Sequence, residues 1–418
     1  MMLKHLVALV FFVSISSLYG AINISLDKND GIYKLGETVK FTVSSDAAAK
    51  ATELKAILSL DGGKVLRTQS FTSDKGVTIS GTLDKPGILQ LRVTGVLAGK
   101  KINLISGAAI APEKITPGAV APKDFDQFWQ NKIAEVEKIP LDFKIEKLEK
   151  HSTKTYVSYE VSCASINGRV YGYLTIPVKN HKVPMLIGID PSGSGRNMPV
   201  LNQFGNRKAV LWLNVHNYSP SLPSKERNAA YKKANTPVTY YLSKNTDREQ
   251  YYYHRVLLGF NRIVNHIAKL PEIDSNKIGF FGVSQGGGLG LMLTSLNSYI
   301  KGACVAVPAL CDHHAFKDNR YPGWPRLVNQ KNVATSVCAQ YYDVANFCKN
   351  IKVPVWVVAG LSDTTCPPGS ICAAFNVIPV AKKILKLEPG MGHSVKRPSY
   401  GKYLVDLRVM LNRLPKVK

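Results

Sequence analysis

Gly282-Val283-Ser284-Gln285-Gly286 sets a serine between two glycines, a spacing suited to nucleophilic acyl transfer. A serine hydroxyl is a weak nucleophile until a base takes its proton and a turn lifts its oxygen clear of the backbone. Small neighbours let the chain make that turn without meeting the adjoining strand and helix. The surroundings have the required order. Lys277-Ile278-Gly279-Phe280-Phe281 reads as a buried strand, and residues 287–296 read as a helix lined with small side chains. The first N–H groups of that helix would face the oxygen on which negative charge develops. The backbone N–H of Gln285 is therefore one expected oxyanion donor.

A serine nucleophile needs a histidine base and an acid that orients it. Hydrolases with this elbow carry them in the order serine, acid, histidine. His313, His314 and His393 follow Ser284. The acid between Ser284 and the first two is Asp312, which adjoins them and is too close to reach around and orient either ring. His393 has Asp312, Asp318, Asp343 and Asp363 before it. Asp363 fits best, on a short Leu361-Ser362 loop after a predicted strand over 353–360. His393 follows a predicted strand over 383–387, and one crossover helix fits between the two. Asp343 falls inside a predicted helix over 337–349 and is expected on its solvated face. The second oxyanion donor is expected in Asp190-Pro191-Ser192-Gly193-Ser194-Gly195, at Ser192 or Gly193, because Pro191 has no N–H.

The elements that must hold these residues are legible as apolar runs. Runs over 183–189, 209–215, 278–283, 303–307, 353–359 and 384–387 are nearly continuous, as strands of a sheet covered on both faces must be. Helical stretches over 252–270 and 337–349 lie between them. The expected fold class is α/β, a doubly wound sheet over residues 155–418. Residues 21–108 differ. Thr38-Val39-Lys40-Phe41-Thr42-Val43 and Leu89-Gln90-Leu91-Arg92-Val93 alternate apolar and polar side chains, and Asn29-Asp30-Gly31, Asp61-Gly62-Gly63 and Lys85-Pro86-Gly87 mark turns. They predict an all-β, immunoglobulin-like sandwich, with carbohydrate binding, spacing and interface packing all open as its role. Residues 109–154 read as a linker and a wrapping helix, with Asp124 as the expected N-cap.

Residues 1–20 have a basic start, an apolar run over 6–15 and small residues at Ser16, Ser17 and Gly20. That pattern predicts a signal peptide and export to a periplasmic or extracellular location, and no membrane span is expected. The seven cysteines lack the paired spacing of a zinc site, so no metal is expected, and they read as small buried hydrophobes with room for one or two bridges. Lys and Arg number 54 against 29 Asp and Glu, giving a net charge of +25. The basic residues are scattered rather than clustered among aromatics, which excludes a nucleic-acid reading and fits a solvated basic surface.

Asp124-Phe125-Asp126-Gln127-Phe128-Trp129, Tyr251-Tyr252-Tyr253-His254-Arg255 and Gly282-Val283-Ser284-Gln285-Gly286-Gly287 recur in a fixed order with Tyr342-Asp343-Val344, Gly360-Leu361-Ser362-Asp363, Cys366-Pro367-Pro368 and Gly392-His393. On these residues the chain resembles the acetyl xylan esterase and cephalosporin C deacetylase family, carbohydrate esterase family 7 of the α/β-hydrolase superfamily, over about residues 110–415. The resemblance implies deacetylation of acetylated sugars or polysaccharides, no cofactor, and a homo-oligomer as an open assembly. The chain departs from the family's pattern at Asp190-Pro191-Ser192-Gly193, at Asn214-Val215-His216-Asn217-Tyr218 and at His393-Ser394. Two aromatic-bearing segments, 218–250 and 312–330, are expected to roof the pocket. Hydrolysis of another ester, a lactone or a peptide bond stays open, as does glycan binding by an inactive hydrolase domain.

Overall fold

Strict alternation builds the N-terminal region. In β3 (Val39–Ser45) Val39, Phe41 and Val43 are buried while Lys40 and Thr42 face solvent. The computed structural model describes residues 22–45, 52–97, 99–179, 181–200, 207–395 and 398–413. The predicted signal peptide lies outside the described residues. Strands β1 (Ile22–Leu26), β3 and β6 (Val77–Gly81) form a three-stranded sheet in the order β1-β3-β6. Strands β2 (Ile32–Tyr33), β4 (Glu53–Leu60), β5 (Val65–Thr72), β7 (Gly87–Leu97) and β8 (Lys100–Ile110) form a five-stranded sheet in the order β2-β8-β7-β4-β5. Side chains of both sheets, among them Phe41, Ile79, Leu58 and Leu91, share one apolar cluster.

Helix α1 (Phe125–Glu137) follows and buries Phe125, Phe128 and Trp129 against the large domain. Asp124 precedes it without a side-chain cap. Its carboxylate instead bonds the Tyr341 hydroxyl and Arg248.

A nine-stranded sheet dominates the rest, in the order β17-β16-β15-β14-β12-β13-β11-β10-β9. Its parallel part holds β12 (Val183–Ile189), β13 (Ala209–Asn214), β14 (Ile273–Val283), β15 (Ile300–Ala306), β16 (Val355–Gly360) and β17 (Lys383–Glu388). An antiparallel end, β9 (Lys144–Lys147), β10 (Tyr156–Ser165) and β11 (Gly168–Pro177), joins beyond β13. The apolar-run reading passed over these three strands, and β9 lies within the stretch read as a linker.

Helices cover both faces, so the central parallel strands are apolar on both sides. Ile187 and Ile189 of β12 join α3 (Tyr252–Ile267) and α4 (Gln285–Leu296) in the main cluster. Leu186 points the other way, to α8 (Pro398–Arg413) through Leu407 and Leu411. Helix α2 (Ser224–Ala234) is the exception, with no buried residue. The helix expected over 337–349 is broken into α5 (Val333–Tyr341) and α6 (Val344–Cys348). Asp343 sits at the break and is buried, because its carboxylate accepts the N–H groups of Asp312, His313 and Ala345. The expected solvated face is thus an N-cap. Helix α7 (Pro368–Asn376) completes the set.

Candidate active site

Strand β14 ends at Val283 and α4 begins at Gln285, so Ser284 alone makes the turn, at φ 56° and ψ −122°. A positive φ is costly for a residue with a Cβ, and such strain persists only where the surroundings enforce it. Here the Ser284 N–H donates to Ala306 O at 3.0 Å, and Ser284 O accepts from Gly288 and Ala309. The glycines remove the clashes. A Cβ on Gly286 would lie 2.1 Å from Ile189 O, and one on Gly282 would lie 2.7 Å from the Gly286 backbone.

Asp363 and His393 arrive from the second and third strands away from β14, just beyond the carboxyl ends of β16 and β17. His393 Nε2 lies 2.9 Å from Ser284 Oγ, and His393 Nδ1 lies 2.8 Å from Asp363 Oδ2. A carboxylate can only accept, so Nδ1 carries the proton and the Nε2 lone pair faces the serine hydroxyl. Asp363 is wholly buried, and its Oδ1 accepts the N–H groups of Thr365 and Cys366 at 2.8 and 3.0 Å. Ser284 is 5% exposed, whereas a third of the His393 ring surface is open. Ser362 N–H to Met391 O and Leu361 N–H to Glu388 O tie the acid loop to the histidine loop.

His313 and His314 lie apart from this group. Both are buried, and burial lowers each imidazole to about 4. His314 pairs with Ser336 Oγ. Asp312 forms an ion pair with Arg320 at 2.8 Å and accepts the Gly118 N–H.

Gln285 is fully buried, its Oε1 accepting the hydroxyls of Tyr240 and Tyr253 at 2.6 and 2.7 Å. The loop over 190–195 is held from several sides. Asp190 Oδ2 accepts the Arg196 N–H at 2.7 Å, Tyr218 donates to Ser194 O at 2.9 Å, and Arg227 donates to Gly195 O. His216 was missed as a site residue by sequence reasoning. Burial lowers it to about 4, so it is neutral. Its Nε2 must donate to Gly193 O at 2.7 Å, which leaves Nδ1 to accept the Tyr252 hydroxyl at 2.9 Å. Its ring stacks on Tyr218 at 5.0 Å. The departure from the family pattern at 214–218 was the available signal. Gly193 is half-buried and its carbonyl is held by His216, whereas Ser192 is exposed.

The two segments expected over the pocket meet through Tyr241 and Trp324, whose rings are 4.6 Å apart. All seven cysteines are buried and unbridged. Among the described residues no cluster of His, Cys, Asp and Glu could hold a metal ion, and no helix is long and apolar enough to cross a membrane.

A family model described as acetyl xylan esterase matches residues 113–403. The acetyl esterase Axe7A of Xylanibacter ruminicola is 29% identical over 374 residues, 85% of this chain and 83% of that protein. The structure of acetyl xylan esterase 1 from Thermoanaerobacterium sp. JW/SL YS485 superposes with a TM-score of 0.61 at 21% identity, over 72% of this chain and 97% of its own. That of the acetyl xylan esterase from Paenibacillus sp. R4 gives 0.61 at 24%, over 72% and 98%. These two likenesses show a shared mixed α/β fold around a large central sheet.

Proposed function

The chain belongs to the acetyl xylan esterase family and is a carboxylic ester hydrolase, and from that premise we propose an exported serine esterase that releases acetate from carbohydrate through Ser284, His393 and Asp363. The observation that carries the mechanism is the continuous chain Ser284 Oγ, His393, Asp363, at 2.9 and 2.8 Å. His393 Nε2 takes the hydroxyl proton as Ser284 Oγ attacks the acetyl carbonyl. The tetrahedral oxyanion is met by the backbone N–H of Gln285 and by a second N–H from Ser192 or Gly193. His393 then gives the proton to the leaving sugar oxygen, and water repeats the cycle on the acetyl-enzyme. Asp363 holds the ring and stabilises the imidazolium. Export rests on the composition of residues 1–20, and the two N-terminal sheets around one apolar core support the sandwich reading.

Acetate release from a panel of acetylated sugars and polysaccharides tests this, with Ser284→Ala alongside. The expected loss in the variant is on the order of 10⁴-fold or more. Undiminished release by Ser284→Ala would overturn the mechanism. Release only from esters of other acyl groups would overturn the acetyl assignment.

A further inference from the structure

Gln90 lies in the N-terminal region, on β7, yet its side-chain amide nitrogen reaches into the hydrolase region. It is 2% exposed, and its Nε2 donates to Leu361 O at 3.1 Å and reaches Asp363 O at 3.4 Å. Both carbonyls belong to the loop that carries the triad acid. On β8 the residue paired with Gln90 is Gly107. A Cβ on Gly107 would lie 2.0 Å from the same Leu361 O, so the β8 backbone abuts this carbonyl. A Cβ on Gly31, between β1 and β2, would lie 2.9 Å from the Leu361 side chain and 3.4 Å from Pro389 of the histidine loop. Three points of the N-terminal region therefore converge on the segment over 361–363 and its neighbour. The segment's own N–H groups pair with Glu388 O, Met391 O and Gly360 O. Gln90 supplies the amide donor on its carbonyl side.

We infer that Gln90 is a positioning residue for the triad, holding the Asp363 loop in register so that the N-terminal β region is a working part of the catalytic site. The inference rests on the reading of Ser284, His393 and Asp363 given above. Its physical basis is alignment: a carboxylate displaced by a fraction of an ångström no longer sets the imidazole in line with the serine, and the loss falls on the chemical step rather than on binding.

The test is steady-state hydrolysis of an aryl acetate by the full chain carrying Gln90→Met, which keeps length and bulk but has no donor. We expect kcat to fall about ten-fold with KM within about two-fold of the wild type. In an Asp363→Ala background, with no acid left to position, the same substitution should change the residual kcat by less than about two-fold. Gln90→Glu keeps the shape and, when ionised, turns an acceptor toward two carbonyls. It should lose at least as much activity, and it serves if the methionine variant does not fold. Wild-type kcat in a folded Gln90 variant would overturn the inference. So would an equal loss with and without Asp363, which would make Gln90 a general structural prop. Ser284→Ala is assayed in parallel. If it stays active, the mechanism fails; if it is dead while Gln90→Met is unimpaired, this inference alone fails.

Discussion

Asp61 follows β4 in the turn Asp61-Gly62-Gly63 and is fully buried, with no well-formed hydrogen bond to either carboxyl oxygen. Burial pushes its pKa up to about 7, although the Arg320 guanidinium and the Gly369 N–H at the start of α7 both act to lower it. The fold therefore holds a proton on Asp61 that the unfolded chain, at 3.8, releases. Where the native state binds more protons, stability falls as pH rises, here between about 4 and 7. Asp61→Asn is neutral throughout. Its stability gain over wild type should be near zero at the bottom of that window, grow through it and level off above, in melts recorded across the range. A variant less stable at every pH would mean that Asp61 is ionised in the fold. Nothing in the sequence marks Asp61 for this, because a turn aspartate is ordinarily solvated. Ser284, His393 and Asp363 were singled out because their chemistry is written in type and order. Gln90 could not be, since an amide has no such signature and its partner lies 271 residues away.

The strand–serine–helix element depends on contact between backbones. Gly286 sits where α4 meets β12, and the Ile189 carbonyl leaves no room for a methyl group. Gly286→Ala must push the helix from the strand or bend the turn at Ser284. We expect about 1–3 kcal/mol of destabilisation and a larger fall in kcat than in melting temperature, because the Gln285 N–H and Ser284 Oγ shift together. Full activity in the alanine variant would show that the elbow is looser than these distances allow. The elements around it were legible to different degrees. Parallel strands such as β12 and β14 bury both faces, so apolar runs reveal them. Strands β10 and β11 interleave polar residues and glycines with apolar ones, so the same criterion passes over them despite Asn167-Gly168 at their turn. The break between α5 and α6 was hidden because Asp343 suits a helix surface and an N-cap alike. Only the approach of Asp312 and His313 decides between them.

At the scale of the molecule, the β region and the hydrolase region do not meet as two finished bodies. Ile88 of β7 and Ala109 of β8 belong to the same apolar cluster as α3, α4 and the parallel strands. Beside them Arg320 bonds Thr116 O and pairs with Asp312, while the Lys64 N–H donates to Asn319 O. The boundary read from composition at residue 108 falls inside β8, and the core runs across it. Domains joined by a small polar interface come apart in separate steps, whereas a shared core couples them. Separating these two regions would expose apolar surface and leave Arg320 and its carboxylates facing unequal surroundings, so the half-unfolded state has little to stabilise it. Calorimetry of the full chain should therefore show one transition, with calorimetric and van't Hoff enthalpies in a ratio near 1. An earlier, separate transition of the β region, with esterase activity intact above it, would show instead that the hydrolase core stands alone, and Gln90 would then lose its claim on Asp363 as well.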